Sequence, residues 1–249
     1  MRVLILGGSS EASALARALA GDGRFAPTLS LAGRTRAPVL PPVPARIGGF
    51  GGVAGLVAWL RAQGAGAVVN ATHPFAARMS ANAAAACAAT GTPLLRVLRP
   101  EWCPQPGDDW RVVPDMAAAA RRLGDAPRRV LLTVGRQDLA PFAAAPQHDY
   151  VIRSVDAPPK DALPPRAVVI SARGPFAEAG ERALLRAHAI DILVTKNAGG
   201  DATEAKLAAA RALGLPVVMV ARPPAVPGGT VPDVAAALAW LEDVRAGRA

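Results

Sequence analysis

Short apolar runs alternate with alanine-rich segments along the whole chain, and this alternation constrains the fold more than any other feature. Strand-like runs and helical segments in this order form right-handed βαβ units and parallel sheets. Runs such as VVMV are apolar throughout, as in sheets that helices cover on both faces. We predict strands at 3–6, 28–31, 45–47, 67–70, 94–97, 130–134, 150–153, 168–171, 192–195 and 217–220, and helices near 11–20, 53–63, 75–89, 116–123, 177–189, 203–213 and 234–245.

A proline-rich stretch at 99–111 interrupts this pattern, and its Pro and Gly residues make it neither helix nor central strand. We interpret it as the crossover between two halves of a chain of 249 residues. The expected fold is therefore α/β, with two Rossmann-like domains at 1–100 and 101–249. Their sheets should be mainly parallel, with a ligand cleft between them. The first domain, which carries the glycine turns considered below, should bind a nucleotide cofactor, and the second should contribute to a cleft for the substrate.

The formal net charge is +9, and three explanations compete for it. A nucleic-acid partner is disfavoured because the basic residues are dispersed and no recognition motif is present. A polyanionic small substrate would be attracted by such a field. The third explanation is compositional, since lysine provides only three of the 28 basic side chains, as in a GC-rich genome.

Targeting and metal signals are weak in this sequence. No apolar run reaches the roughly 18 residues of a membrane-spanning helix, and the apolar start is too short for a signal peptide. We therefore expect a cytoplasmic protein. The two cysteines, Cys87 and Cys103, form no CxxC or Cys/His cluster, so no metal site is expected.

A glycine turn joins the first predicted strand to the first predicted helix. Backbone N–H groups of such a turn can face a phosphate. The spacing lacks the third glycine of the dinucleotide fingerprint, so a plain tight turn is the alternative. The candidate cofactor residues here are Gly7, Gly8, Ser9, Ser10 and Glu11.

The ends of the next two strands carry further candidate cofactor residues. Arg34 and Thr35 stand where an acidic residue would bind the ribose of NAD, which favours NADP; the alternative is a surface arginine. Gly49, Phe50 and Gly51 belong to a run of four glycines around one phenylalanine. Backbone this bare permits close approach of a ligand, and a flexible loop is the alternative.

The segment Thr72-His73-Pro74 follows the fourth predicted strand. Thr72 is a candidate helix N-cap, with Pro74 near the first turn. His73 should then lie at the ligand edge of the sheet. It is a candidate for cofactor contact and for proton transfer, although a lone histidine is more often structural.

The second half also has a strand followed by a glycine turn, at Thr133 and Gly135, and we take these two residues as further cofactor contacts. Basic residues stand at five predicted strand ends of this half, and together they suggest a cationic ledge for carboxylates or phosphates. These candidate substrate-binding residues are Arg136, Arg153, Arg173, Lys196 and Arg222. Lys196 is also a candidate catalytic residue, because lysine is rare in a chain that otherwise uses arginine.

Taken in order, these motifs resemble the precorrin-6A reductase family of cobalamin synthesis. The resemblance covers nearly the whole chain. One departure is Asn70, where an acidic residue is expected before ATHP. The segments that carry it are ILGGSSEA (5–12), LAGR (31–34), GGFGG (48–52), NATHPFA (70–76), LLTVGRQDL (131–139), VIRSVDAP (151–158), ARGPF (172–176), VTKNAGG (194–200) and VMVARP (218–223).

The resemblance implies NADPH as cofactor and the anionic tetrapyrrole precorrin-6A as substrate. Hydride transfer to a conjugated C=C/C=N unit would give precorrin-6B, or its cobalt-containing equivalent. His73 and Lys196 are the protein candidates for the accompanying proton, and water or a ring nitrogen could replace them. The oligomeric state stays open, and a monomer is compatible with the sequence.

Two other functions are kept as alternatives. The first is a non-catalytic NADP-binding sensor or regulatory module, which would bind the nucleotide without turnover. The second is an NADP-dependent dehydrogenase of a small carbonyl compound. The commonest short-chain version of that enzyme is disfavoured, because Tyr150 has no lysine four residues further on.

Overall fold

A computed structural model describes residues 1–33 and 37–248. The chain divides into two compact units. Unit 1 comprises Met1–Pro100 together with Pro223–Ala249, and unit 2 comprises Glu101–Arg222. Each unit contains one parallel sheet of six strands with helices around it, which confirms the predicted α/β class.

Unit 1 is built around a sheet whose strand order is β12-β5-β4-β1-β2-β3, with every neighbouring pair parallel. Its strands are β1 (Arg2–Leu6), β2 (Ala26–Leu31), β3 (Ala45–Ile47), β4 (Ala67–Asn70), β5 (Leu94–Val97) and β12 (Gly229–Val231). Its helices are α1 (Ser10–Leu19), α2 (Gly52–Gln63), α3 (Ala77–Thr90) and α7 (Val234–Arg245).

The β1 strand shows why its apolar run is continuous. Val3 and Ile5 belong to a core that also contains residues of α1 and α7. Leu4 and Leu6 point to the opposite face and pack with residues of α2 and α3. Because successive side chains of a strand alternate between faces, a strand covered on both sides needs apolar residues at every position.

Unit 2 repeats the arrangement with strand order β6-β11-β10-β7-β8-β9, again parallel throughout. Its strands are β6 (Trp110–Val113), β7 (Arg129–Leu132), β8 (Asp149–Ser154), β9 (Ala167–Ser171), β10 (Ile192–Lys196) and β11 (Val217–Val220). Its α-helices are α4 (Met116–Arg122), α5 (Glu178–Ala187) and α6 (Ala205–Ala212). Short 3₁₀ turns lie at Arg136–Asp138, Ala140–Ala144, Lys160–Ala162 and Asp201–Thr203.

The two sheets have the same topology except for the origin of their sixth strands. After β5 of unit 1, the chain continues into β6, which pairs with β11 in unit 2. After β11, it continues into β12, which pairs with β5 in unit 1. The final segment therefore belongs to unit 1, whereas the sequence led us to assign 101–249 entirely to the second domain.

Both exchanged strands lead into the same local motif, a repeat that our sequence reading missed. Val-Pro-Asp followed by one residue and three alanines occurs at 113–119 and again at 231–237. Asp115 caps α4 by accepting a hydrogen bond from the Ala118 N–H, and Asp233 caps α7 in the same way from Ala236. The motif is thus a strand end, an N-cap and a helix start.

All ten predicted strands are present, and seven α-helices lie near the predicted positions. The sequence did not reveal β6 and β12, which are short edge strands next to proline-rich segments. Among the residues that the structure describes, no helix has both the length and the apolar character needed to cross a membrane.

Candidate functional site

The carboxyl ends of β1 and β4 form the switch point of unit 1, where successive strands are added on opposite sides. In open parallel sheets, ligands bind at this position. The Ser9 hydroxyl joins the two following turns, because it donates to the Ala71 carbonyl at 2.7 Å and accepts from the Ala12 N–H at 3.2 Å. The Ala71 N–H in turn donates to the Leu6 carbonyl. Ser9 therefore fixes the turn and caps α1.

Gly7 and Gly8 have different roles in this turn. A Cβ at Gly7 would lie 2.7 Å from Leu29 Cδ1, so close packing against β2 favours glycine there. Gly8 is exposed, has a φ of +124°, and would have no described atom within 4 Å of an added Cβ. The open backbone at Gly8 leaves room for a ligand at the N-terminus of α1, where unpaired N–H groups favour a phosphate.

Glu11 places a carboxylate in the first turn of α1, and Arg99 neutralises it. Both carboxylate oxygens accept from Arg99 Nη1, at 2.9 and 3.0 Å, and Oε2 also accepts from the Ser10 hydroxyl. Burial opposes ionisation of Glu11, but the hydrogen bonds and charge of Arg99 outweigh it and hold the pKa of the carboxyl below its usual range. Because Arg99 balances its charge, the Glu11 carboxylate does not repel an anionic ligand at this helix end.

The glycine loop at 48–52 follows β3 and leads into α2. Gly48, Gly51 and Gly52 all have positive φ, so the loop needs glycine for its backbone shape. Gly49 is exposed, and an added Cβ there would meet only the Gly51 nitrogen, at 4.0 Å. The predicted contacts Arg34 and Thr35, near the end of β2, lie outside the described residues.

Asn70 holds the turn that contains Thr72. Its Oδ1 accepts from the Thr72 hydroxyl at 2.8 Å and from the Thr72 N–H at 3.2 Å, while its Nδ2 donates to the Ser80 hydroxyl at 3.0 Å. Thr72 does not cap the next helix, contrary to our prediction, because α3 begins at Ala77 and Ala76 provides no side-chain cap. The amide at Asn70, where an acid was expected, uses both its donor and its acceptor.

His73 is half-buried in the same turn, and one ring nitrogen is occupied. The Phe75 N–H donates to His73 Nδ1 at 3.2 Å, which assigns the remaining ring proton to Nε2 in the neutral form. The neighbouring Pro74 is buried, and its carbonyl accepts from Arg96 Nη2 at 3.1 Å. The turn thus presents an imidazole with a defined tautomer beside the Gly8 turn.

In unit 2 the corresponding switch point lies between β7 and β10, and it brings Lys196 against Asp138. Lys196 Nζ is 2.6 Å from Asp138 Oδ2, with side-chain exposures of 15% and 31%. The Thr133 N–H and hydroxyl both donate to the Val194 carbonyl, which joins the two strand ends. A Cβ at Gly135 would lie 2.9 Å from Asp138 Oδ2, so glycine leaves room for the ion pair.

The predicted cationic ledge needs correction at two of its five positions. The Arg153 guanidinium is buried, ion-paired with Glu181 and stacked on Phe176, with Cζ 4.0 Å from the ring centroid. Arg222 donates to the Asn197 and Ala198 carbonyls at 2.9 and 3.1 Å. Both strand ends turn their cations into the protein, because buried acceptors lie within reach.

The remaining members of the ledge have more access to solvent. Arg173 is exposed, Arg136 is half-buried in the turn after β7, and Lys196 is the partly exposed member of its ion pair. Among the five predicted members of the ledge, these three side chains therefore keep access to solvent.

The segment after Lys196 is held by Asn197, which is buried. Its side chain accepts from the Trp102 N–H and donates to the Trp102 carbonyl, at 2.9 and 3.0 Å. The Trp102 indole N–H donates to the Gly200 carbonyl, and Lys206 Nζ lies 4.5 Å from the Trp102 ring centroid. The proline-rich crossover therefore fixes the loop that begins at Lys196.

Our sequence reading missed Arg99, Asp138 and Asn197. Two of them belong to charge pairs whose partners we had named, Glu11 and Lys196. One signal was available for Asp138, since it follows a strand end by a few residues within the GRQD turn. The partners of Arg99 and Asn197 are distant in sequence, and they are brought together by the order of the strands, which no local pattern predicts.

Known proteins are similar to this chain over nearly its whole length. A family model described as "Precorrin-6x reductase CbiJ/CobK" matches residues 2–242. The precorrin-6A reductase of Rhodobacter capsulatus is 54% identical over 244 residues, covering 97% of this chain and 96% of that protein. The precorrin-6A reductase of Rhodococcus erythropolis is 52% identical, covering 96% and 97%.

More distant relatives and one solved structure extend this picture. The cobalt-precorrin-6A reductase of Salmonella typhimurium is 29% identical over 264 residues, with 96% of each chain covered. The solved structure of "CobK precorrin-6A reductase" has a TM-score of 0.92 and 52% identity, covering 98% of this chain and 96% of that one.

Proposed function

This chain belongs to the precorrin-6x reductase family CbiJ/CobK, and from that membership we propose that it reduces precorrin-6A to precorrin-6B with NADPH. The reaction moves one hydride and one proton onto a double bond of the macrocycle and leaves NADP⁺. The cobalt-free substrate is favoured because the relatives with that name are 47–54% identical, against 29–30% for the cobalt-precorrin enzymes. A cytoplasmic location is part of the proposal.

We assign the nucleotide to the carboxyl edge of the sheet in unit 1. The open backbone at Gly8 and the N-terminus of α1 suit a pyrophosphate. The turn at Thr72–Pro74 and the glycine loop flank this position along the sheet edge. Arg34 is assigned to the 2′-phosphate, which distinguishes NADPH from NADH. When bound, the nicotinamide supplies the hydride.

The protein's own contribution on the substrate side is charge and position. Arg136, Arg173 and Lys196 would hold acetate and propionate carboxylates of the tetrapyrrole by charge-assisted hydrogen bonds. Asp138 keeps Lys196 Nζ in a defined place at the end of β10. The same ammonium is our first candidate for the proton donor, and the Nε2–H of His73 is the second.

The similarity over nearly the full chain is the observation that carries this proposal. The matched region covers 97% of the chain at 54% identity and therefore includes both sheets. A non-catalytic nucleotide-binding module would use the turns of unit 1 alone, whereas the matched region at 2–242 includes all of unit 2.

The test measures turnover together with cofactor choice. Purified protein is mixed anaerobically with precorrin-6A and either NADPH or NADH, and nicotinamide oxidation is followed by absorbance. We expect oxidation that depends on precorrin-6A and is faster with NADPH.

Arg34→Ala should weaken NADPH binding about ten- to a hundredfold, the value of a charge-assisted pair, and leave NADH binding unchanged. Binding of NADPH without turnover would instead support the sensor, and equal loss for both nucleotides would remove Arg34 from the 2′-phosphate site.

A further inference from the structure

Arg46 projects from the middle of β3 and contacts β2, the start of the glycine loop and the Phe50 ring. Its Nη1 donates to the Ser30 hydroxyl at 2.9 Å and to the Gly48 carbonyl at 3.0 Å, and its Nη2 donates to the Gly49 carbonyl at 3.0 Å. Its Cζ lies 3.8 Å from the centroid of the Phe50 ring. One half-buried side chain thus fixes the end of β2 and the first half of the glycine loop.

The remainder of the loop is supported by α2. The Phe50 ring packs edge-on against Trp59, with 5.7 Å between centroids. The Phe50 carbonyl lies so close to Gly55 that a Cβ at that helical position would come within 1.6 Å of its oxygen. Glycine is unfavourable inside a helix, and here this close approach requires it. Arg46 and α2 therefore hold Phe50 from two sides.

A loop of four glycines has many conformations when it is not restrained. A ligand that selects one of them binds more weakly, because the loop loses conformational entropy. Restraint before binding lowers this cost. We propose that Arg46 is a positioning residue that holds the loop at 48–52 in the conformation that receives the cofactor, an inference that rests on the proposed function.

The contacts of Arg46 favour this role over direct phosphate binding. Three of its donors already serve protein oxygens, and one face of the guanidinium covers Phe50. Burial lowers the pKa of the guanidinium, and no carboxylate of residues 1–33 and 37–248 forms an ion pair with it. Its hydrogen-bonding partners are neutral groups of β2 and of the loop, so we expect shape, and not charge, to be its contribution.

The test compares Arg46→Ala and Arg46→Lys with Arg61→Ala, which removes the same charge from an exposed position of α2. Dissociation constants for NADPH and NADH are measured by fluorescence titration, and amide hydrogen exchange is measured at 48–52. Both Arg46 variants should bind each nucleotide at least about tenfold more weakly and should exchange faster in the loop. Arg61→Ala should match the wild type. Lysine should not rescue, because its compact ammonium lacks the planar, forked guanidinium whose two nitrogens reach three separate oxygens while its face covers the Phe50 ring.

Several results would overturn the inference. These are an unchanged dissociation constant for Arg46→Ala, a loss confined to NADPH, or full rescue by lysine. If Arg46→Ala does not fold, Phe50→Leu removes the stacked ring and keeps an apolar side chain, and it should give the same direction in affinity and exchange; wild-type behaviour there would also overturn the inference. A wild-type protein that binds neither nucleotide would contradict the proposed function itself, and the inference with it.

Discussion

At the scale of single residues, several charged side chains near the carboxyl ends of the strands are held by a partner. Glu11 is paired with Arg99, Asp138 with Lys196, and Glu181 with Arg153. Such pairs orient side chains more than they stabilise the fold, because desolvation offsets much of the attraction. The Lys196–Asp138 pair is more solvent-accessible than the Arg153–Glu181 pair, and this makes it the better candidate for substrate chemistry.

Lys196→Ala should reduce kcat or raise the substrate KM at least about tenfold, a loss of roughly 1.4 kcal/mol of transition-state stabilisation. The NADPH dissociation constant should stay within about twofold, because Lys196 lies in unit 2. Lys196→Arg keeps the charge and removes the readily transferred proton, so partial rescue of KM without rescue of kcat would identify proton delivery. Lys160→Ala, at an exposed lysine, is the control. Normal turnover by Lys196→Ala would transfer the proton role to His73 or to solvent.

His148 provides a second prediction at this scale, concerning stability. Its ring is fully buried, and neither nitrogen has a hydrogen-bond partner among the described residues. Burial lowers the pKa of His148, and the charges of Arg128 and Arg166 act in the same direction, while the charge of Asp125 opposes them. The folded state therefore binds a proton less readily than the unfolded chain, so stability should fall as pH drops below about 6.5 towards the folded pKa.

His148→Phe should remove this acid sensitivity. The free energy of unfolding is measured by denaturant titration between about pH 7.5 and pH 5, and the wild type should lose up to about 1.4 kcal/mol per pH unit more than the variant. His188→Gln is the control, since that histidine is only half-buried. Equal pH dependence in the wild type and His148→Phe would contradict the assignment.

At the scale of elements, the turns after the strands carry the proposed site, and their glycines have different causes. Close packing against β2 favours glycine at Gly7, and a positive φ favours glycine at Gly8 and Gly51. Substitution at Gly8 or Gly51 would strain the backbone whether or not a ligand lies there. Gly49 is free of both constraints, so it reports ligand contact most directly.

Gly49→Ala should weaken NADPH binding about tenfold by steric contact, because the added methyl group would occupy open space at the loop where we propose that the cofactor binds. The melting temperature should remain that of the wild type. Gly180→Ala is a matched control, since an added Cβ at that exposed helical glycine meets no described atom within 4 Å. Unchanged NADPH affinity in folded Gly49→Ala would separate the glycine loop from cofactor binding.

Elements of the fold could be predicted from sequence where local pattern decides them. Ten strands were visible because most of them are short apolar runs bounded by helical segments or turns. β6 and β12 were not, since an edge strand such as Gly229–Val231 buries too little to produce a pattern. The turns of the candidate site follow from the strand ends. Their partners do not, because Asp138 meets Lys196 only through the pairing of β7 with β10.

At the scale of the whole molecule, the exchange of sixth strands determines which unit the C-terminal segment stabilises. Ala237 and Leu241 of α7 lie in the same core as Val3 and Leu15. The end of the chain therefore completes the unit that contains its beginning. No local pattern distinguishes this arrangement from one in which each half is continuous, which is why the sequence placed 223–249 in the wrong domain.

A pair of core substitutions tests this division. Leu241→Ala and Leu185→Ala each remove a fully buried leucine, one from the core of unit 1 and one from the core of unit 2. Each should cost about 2–5 kcal/mol. Hydrogen exchange should rise in β1 and α1 for Leu241→Ala, and in β7 and β10 for Leu185→Ala. Loosening of β7 and β10 by Leu241→Ala would show that the last helix belongs to the second unit after all.

The central claim is hydride transfer from NADPH to the macrocycle, and isotope transfer measures it most directly. Precorrin-6A is converted anaerobically with NADPH that carries deuterium at C4 of the nicotinamide, using each stereoisomer in turn, and the product is analysed by mass spectrometry. We predict a product that has gained one hydride and one proton, with deuterium from one stereoisomer only. Nicotinamide oxidation that leaves the macrocycle unreduced, or a reduced product without deuterium from either stereoisomer, would contradict the account.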